Sequence, residues 1–179
     1  YPFCRGRIFN HLETINQTYS TPIDVFWASG ACLFIRSQAY KEENGFDEDL
    51  YAHMEEIDLC WRLKNKGHKI ACIPSSKVYH VGGGALSYGN PKKTYLNFRN
   101  NLIILLKNLD KHSVYRILFK RIFLDLLAAM NYFIKLQFKH FFAILKAYFH
   151  FIILFRKTKR KRTNTEIKFT NLKTVYSKS

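Results

Sequence analysis

Glu55-Glu56-Ile57-Asp58-Leu59-Cys60-Trp61-Arg62-Leu63-Lys64-Asn65-Lys66-Gly67 is the stretch on which the fold turns. Its spacing predicts a helix over 55–66, with Ile57, Cys60, Trp61 and Met54 along one face and Gly67 as the C-terminal stop. Two adjacent carboxylates open it, where free amides and the helix dipole favour negative charge. Helical spacing sends Glu55 and Glu56 about 100° apart, so at most one points squarely into any cleft, and Asp58 lies on a third face. Such a pair serves either as a helix cap or as a source of a general base. The flanking residues bear on that choice.

Residues 1–24 are mixed, with turn formers such as Asn16-Gln17 and Ser20-Thr21-Pro22. The run from Val25 to Ile35 is rich in β-formers but broken by small residues at Ala28 to Ala31, and reads as a buried strand pair or an interrupted strand. A short helix is predicted from Arg36 to Asn44, ended by Gly45, and an acidic, aromatic loop from Phe46 to His53. Beyond the helix, Lys69–Ile73 and Lys77–Val81 read as strands, and Gly82-Gly83-Gly84 can hold no regular element. Thr94 to Asn108 returns to helical spacing.

Charge divides the chain. Residues 1–60 hold four Lys/Arg against ten Asp/Glu, and residues 61–179 hold twenty-five against three, so a net +16 hides an acidic region followed by a strongly basic one. The basic part predicts a polyanionic partner, an anionic membrane or a nucleic acid. With 47% hydrophobic residues the chain is no disordered tail as a whole. It starts at Tyr1 with no charged-then-apolar leader, which reads as a chain cut from a longer one. Cys4, Cys32, Cys60 and Cys72 are too far apart for a paired metal site and read as structural thiols in a reducing, cytosolic setting.

From Val114 to Phe155 the longest charge-free runs, Leu126 to Ile134 and Ala147 to Phe155, fall short of the ~20 residues that a membrane-spanning helix needs. Taken as one helix, Arg121, Asp125, Lys135, Lys139 and Lys146 fall within an arc of about 80°, and most of the rest is aromatic or aliphatic. That pattern predicts a helix lying in a membrane interface, and a kink or turn near Asn131 would change its geometry without removing the argument; the other reading is a soluble helical hairpin packed on the domain. The cluster Arg156-Lys157-Thr158-Lys159-Arg160-Lys161-Arg162 then opens a basic tail, expected to be disordered, that suits anionic lipid. No nucleic-acid-binding motif accompanies it, so nucleic acid is disfavoured.

Five segments occur in a recognisable order: Trp27-Ala28-Ser29-Gly30-Ala31-Cys32-Leu33-Phe34-Ile35-Arg36, Asn44-Gly45-Phe46-Asp47-Glu48, Glu55-Glu56-Ile57-Asp58-Leu59-Cys60-Trp61-Arg62-Leu63, Gly67-His68-Lys69-Ile70, and Val78-Tyr79-His80-Val81-Gly82-Gly83-Gly84. Over about residues 6–107 the chain resembles the second half of the inverting family 2 glycosyltransferases of the GT-A fold, especially rhamnosyl- and galactosyltransferase-like members. The resemblance implies an α/β fold class: the C-terminal, acceptor-side half of a GT-A domain over 1–107, then interfacial helices over 108–155 and the basic tail over 156–179. It implies that Trp27, Ser29, Gly30, Ala31 and Asp47 line the acceptor side. The general base is the second member of the pair, here Glu56 where the family has Asp, with Glu55 as the alternative. His80 is placed at a divalent metal (Mg2+ or Mn2+), and Gly82, Gly83 and Arg99 at the diphosphate, the glycine loop acting as a lid. The donor would be a nucleotide sugar, its pocket and Asp-x-Asp motif preceding the residues present here. Asp47-Glu48-Asp49 has that spelling but reads as acceptor-side. The acceptor would be a lipid-linked or growing glycan at the cytoplasmic membrane face. The rival from another class is a non-catalytic membrane- or nucleic-acid-binding protein with structural carboxylates.

Overall fold

A computed structural model describes residues 21–79 and 89–162. The described residues divide into two compact units, 21–47 with 55–79 and 48–54 with 89–162. The third helix therefore groups with the C-terminal helices, and the acidic loop before the carboxylate pair groups with them too.

In the first unit, β1 (Ile23–Asp24) pairs antiparallel with β2 (Ala71–Cys72), Ile23 opposite Cys72 and Asp24 opposite Ala71. The ladder is extended by the Val25 amide, which donates to the Ile70 carbonyl at 2.9 Å. The strand pair or interrupted strand expected over Val25–Ile35 is not formed, and beside its expected break at Ala28 to Ala31 the chain makes a 3-10 turn, Gly30–Cys32. The Ser29 hydroxyl accepts from the Ala31 amide at 3.3 Å. A short hydroxyl side chain followed by a glycine draws the backbone into a local turn and away from a ladder. The strand expected over Lys77–Val81 is likewise not seen at residues 77–79, and its last two residues lie outside the described ones.

α1 (Ser37–Glu42) ends as the sequence predicts. Asn44 and Gly45 have φ of 56° and 65°, and the Gly45 amide donates back to the Tyr40 carbonyl at 2.9 Å. A β-carbon at Gly45 would come within 2.8 Å of the Tyr40 ring, so only glycine fits. α2 (Glu55–Asn65) closes in the same way at Gly67 (φ 85°), where the His68 amide donates to the Leu63 carbonyl at 3.0 Å. Leu59, Cys60, Trp61 and Leu63 form its buried face, with Phe26 edge-on to Trp61 at 5.4 Å. Ile57, expected on that face, is only half-buried. Asp58 and Arg62 are buried as well, at 0% and 5% exposure. Arg62 donates to Asp58 Oδ2 at 2.8 Å, to the Gly45 carbonyl at 2.7 Å and to the carbonyl and carboxylate of Glu43. Asp58, on the third face of the helix, is thus the inner half of an ion pair.

The second unit is helical. α3 (Pro91–Asn108) starts where Asn90 accepts from the Lys92 amide at 2.9 Å and Pro91 fills the first helical position. The tract beyond it is not one helix but two, α4 (Val114–Ile134) and α5 (Phe138–Arg160). Leu136 reverses the chain with φ 56°, and the Gln137 amide donates to the Tyr132 carbonyl at 2.9 Å. The single basic stripe is therefore split between two helices. α5 runs on through Arg160, so Arg156, Lys157, Lys159 and Arg160 ride on a helix and do not open a disordered tail.

α3 packs chiefly against α5 and less against α4. Leu96, Leu102, Ile103 and Leu106 of α3 are buried, as are Ala143, Ile144, Ala147 and Phe151 of α5. Polar ties fix the register. Thr94 Oγ1 and His140 Nδ1 share a hydrogen bond of 2.8 Å, as do Tyr95 OH and His150 Nδ1 at 2.5 Å. Asp125, inside the α4–α5 contact, accepts from Arg121 Nε at 2.7 Å and from Tyr148 OH at 2.8 Å. Burial, the largest effect, pushes its carboxyl above the ordinary range, while the Tyr148 hydroxyl and the Arg121 charge oppose that. The Tyr148 hydroxyl is itself raised, by burial and by Asp125, and stays a donor. Among the described helices α5 alone is long and apolar enough to cross a membrane, by length and composition.

Candidate active site

The carboxylate pair stands at the start of α2, as the sequence predicts, with Glu55 and Glu56 half-buried. Glu56 lies along the small-residue turn. A β-carbon at Gly30 would sit 3.8 Å from the Glu56 β-carbon and 3.9 Å from its Cγ and Cδ. One helical turn along, the Cys60 thiol sits near the same elements. Burial raises its pKa, a hydrogen bond with the Ala28 backbone lowers it, and the Glu56 charge raises it again. The first unit thus joins the Ala28–Ala31 turn and the second carboxylate of the pair, two features 26 residues apart between Gly30 and Glu56. Glu55 is different: its Oε2 is shielded from solvent and takes no hydrogen bond among the described residues. Such an oxygen carries a desolvation cost that a hydroxyl group of a ligand would relieve.

Other predicted site residues are dispersed. Trp27 and Ser29 are half-buried beside the turn, and Ala31 and Gly30 are exposed. Asp47 is half-buried. Arg99 is engaged within its own unit: Nη2 donates to the carbonyls of Asp49 and Leu50 at 2.9 and 3.1 Å, Nη1 to Tyr95 OH at 3.1 Å and Nε to Asn100 Oδ1 at 2.9 Å. His80, Gly82 and Gly83 lie outside the described residues.

Among the described residues no three His, Cys, Asp or Glu side chains gather as a metal set. The Asp-Glu-Asp spelling at 47–49 does not supply one, because Lys157 and Lys161 grip the Asp49 carboxylate at 2.5 and 2.6 Å. Among the described residues Cys32, Cys60 and Cys72 form no disulfide, Cys60 being buried and the other two half-buried.

Two features escape a reading of the sequence. Arg62 is the hub of a buried ion network, signalled only by its spacing of four from Asp58. Asn100 is fully buried and hydrogen-bonded to three carbonyls of the loop before α2. Its signal is a polar residue on the apolar stripe Leu96, Asn100, Ile103.

No family model matches the chain, and no solved structure matches it. Partial matches to known proteins exist. N-acetylglucosaminyl-diphospho-decaprenol L-rhamnosyltransferase of Mycobacterium tuberculosis is 41% identical over 56 residues, 31% of this chain and 18% of that protein. Rhamnosyltransferase WbbL of Escherichia coli K12 is 29% identical over 87 residues, 45% of this chain and 33% of that protein. Pre-mycofactocin glycosyltransferase of M. tuberculosis is 36% identical over 56 residues, 31% of this chain and 12% of that protein. A match of 31% over 81 residues carries another name, putative methylthioribose-1-phosphate isomerase of Methanocaldococcus jannaschii, and covers 23% of it. The chain thus spans a third or less of each of these relatives. What it shares with three of them is a stretch of glycosyltransferase sequence.

Proposed function

We propose that this chain is the acceptor-side, C-terminal part of an inverting glycosyltransferase, with Glu56 as its general base. The observation that carries the proposal is the placement of the Glu56 side chain against Gly30. It joins the two segments that the family resemblance assigns to acceptor and base. The partial similarity to named glycosyltransferases supports the same class.

In the proposed reaction Glu56 takes the proton of an acceptor hydroxyl. The freed oxygen attacks the anomeric carbon of a nucleotide sugar from the face opposite the leaving group. The bond from that carbon to the diphosphate oxygen breaks, and the nucleoside diphosphate departs with its electron pair. One carboxylate suffices for this. An inverting hydrolase needs two carboxyl groups about 6.5–9.5 Å apart with a water between them, which adjacent residues on one helix serve poorly. The divalent cation that the resemblance implies finds no ligand set among the described residues, and it takes no part in the steps above.

The acceptor in this reading is a polyprenyl-diphosphate-linked glycan, as the name of the mycobacterial relative suggests. A peripheral site at the cytoplasmic membrane face fits the helical unit. Between Gly89 and Arg162 the only carboxylates are Asp110 and Asp125, 8% and 3% exposed. The rest of that surface offers cations and apolar stripes, such as Phe138, Phe142, Leu145, Phe149 and Ile152 along α5. Such a surface suits anionic lipid.

The test is a transfer assay on the full-length protein with a panel of nucleotide sugars and a polyprenyl-diphosphate-linked acceptor in anionic vesicles. One donor should release nucleoside diphosphate and give a product of inverted anomeric configuration by NMR. Retention of configuration, or no turnover with any donor, would overturn the proposal.

A further inference from the structure

We infer that Asn100 is a positioning residue, holding in place the strained turn from which α2 and its carboxylate pair start. The inference rests on the reading of that pair as the reacting group. Asn100 is 0% exposed. Its Nδ2 donates to the carbonyls of Leu50, Ala52 and His53 at 2.9, 2.9 and 2.7 Å, and its Oδ1 accepts from Arg99 Nε at 2.9 Å. Arg99 adds bonds to the carbonyls of Asp49 and Leu50. Two side chains of α3 thus bind the four carbonyls of Asp49, Leu50, Ala52 and His53.

The loop has reason to need them. Tyr51, His53 and Met54 have φ of 60°, 67° and 72°, left-handed values that side chains with a β-carbon rarely adopt. Such strain persists only where surrounding contacts over-determine it, and it concentrates at functional sites. Met54 is the residue before Glu55, so the loop runs directly into the first turn of α2. A carboxamide suits this position because it supplies two N–H donors to the loop carbonyls and one acceptor to Arg99 without burying a charge. Aspartate would keep the shape and the acceptor but lose every donor. A leucine would remove all three bonds from Asn100, leaving the Leu50 carbonyl to Arg99.

The experiment compares the full-length protein with Asn100→Asp and Asn100→Ser, reading hydrogen exchange over 49–56 together with kcat and donor KM. Serine keeps one donor and buries no charge, so it serves if the aspartate variant does not fold. The expected result is faster exchange confined to 49–56 and a kcat lowered about 100-fold, the scale of a reacting group displaced by an ångström, with donor KM within about twofold of the parent. Unchanged exchange would overturn the clamp. Faster exchange with parental kcat would leave Asn100 a local structural residue and overturn its positioning role. Glu55→Gln and Glu56→Gln run alongside as controls. If both turn over normally, the catalytic reading has failed, while the exchange data still decide whether Asn100 holds the loop.

Discussion

Gly30 lies against Glu56, at a separation that a single methyl group would fill: a β-carbon there would stand 3.8 Å from the Glu56 β-carbon. That is an ordinary contact distance, so Gly30→Ala should fold with its stability changed by no more than about 0.5 kcal/mol, as at other exposed positions. Gly30→Phe sets a ring beside the Glu56 side chain, where it would crowd the carboxylate. Its turnover should fall about 100-fold, while thermal melting shifts little. A phenylalanine variant with parental turnover would separate Glu56 from the chemistry.

Arg62 is the hub of the first unit's buried charges. Arg62→Met should cost about 3 kcal/mol in urea unfolding, because it removes the buried cation that Asp58 and Glu43 share, leaving Glu43 the partly exposed Lys66 at 2.7 Å. A cost under about 1 kcal/mol would contradict the reading of Arg62 as the hub of that network.

How far the sequence can be read depends on the range of the forces involved. α1 and α2 and their glycine stops are legible because caps and apolar spacing are local signals. The small residues at Ala28 to Ala31 read as a break, but the residues on either side read as strand because β-rich composition at Val25–Ile35 carries no sign of the hydroxyl-to-amide contact that turns the chain. The break at Lys135–Gln137 emerges only as an alternative near Asn131, since no glycine or proline marks it and Leu136 takes the left-handed conformation unaided. The bonds of Asn100 to Leu50, Ala52 and His53 span 47–50 positions in sequence, and no periodicity encodes them. At the candidate site the carboxylate pair and the small-residue turn are legible, and their contact is not.

Asp125 gives the helical unit a pH dependence of definite sign. Burial holds its carboxyl above the ordinary 3.8, so the folded state binds the proton more tightly than the unfolded one. Its contribution is full below about pH 3.8 and is lost as pH rises through the folded value. The stability of the parent relative to Asp125→Asn, measured by denaturant unfolding without lipid, should fall as pH rises from about 3 to about 6. A relative stability that rises with pH would mean that Arg121 and Tyr148 outweigh burial.

Vesicle binding should depend on the outward stripe of α5. Phe142, Leu145, Phe149 and Ile152 are 61%, 46%, 62% and 69% exposed, whereas Phe151 is buried. Replacing those four exposed residues with serine leaves every charge in place and should abolish sedimentation with anionic vesicles. The unaltered chain should lose only part of its binding in added salt, since screening spares the apolar contribution. Binding that survives the serines and collapses in salt would be purely electrostatic, as for a nucleic acid.

The role of Glu56 is tested most directly by the turnover of Glu56→Gln in the full-length protein, with Glu55→Gln beside it. Loss of a general base should lower kcat of Glu56→Gln by about 100-fold or more, with donor affinity unchanged and Glu55→Gln far less affected. A crippled Glu55→Gln beside an active Glu56→Gln would move the base to the neighbouring carboxylate. Parental turnover in both would contradict the enzymatic reading and leave the two carboxylates as the opening of a helix.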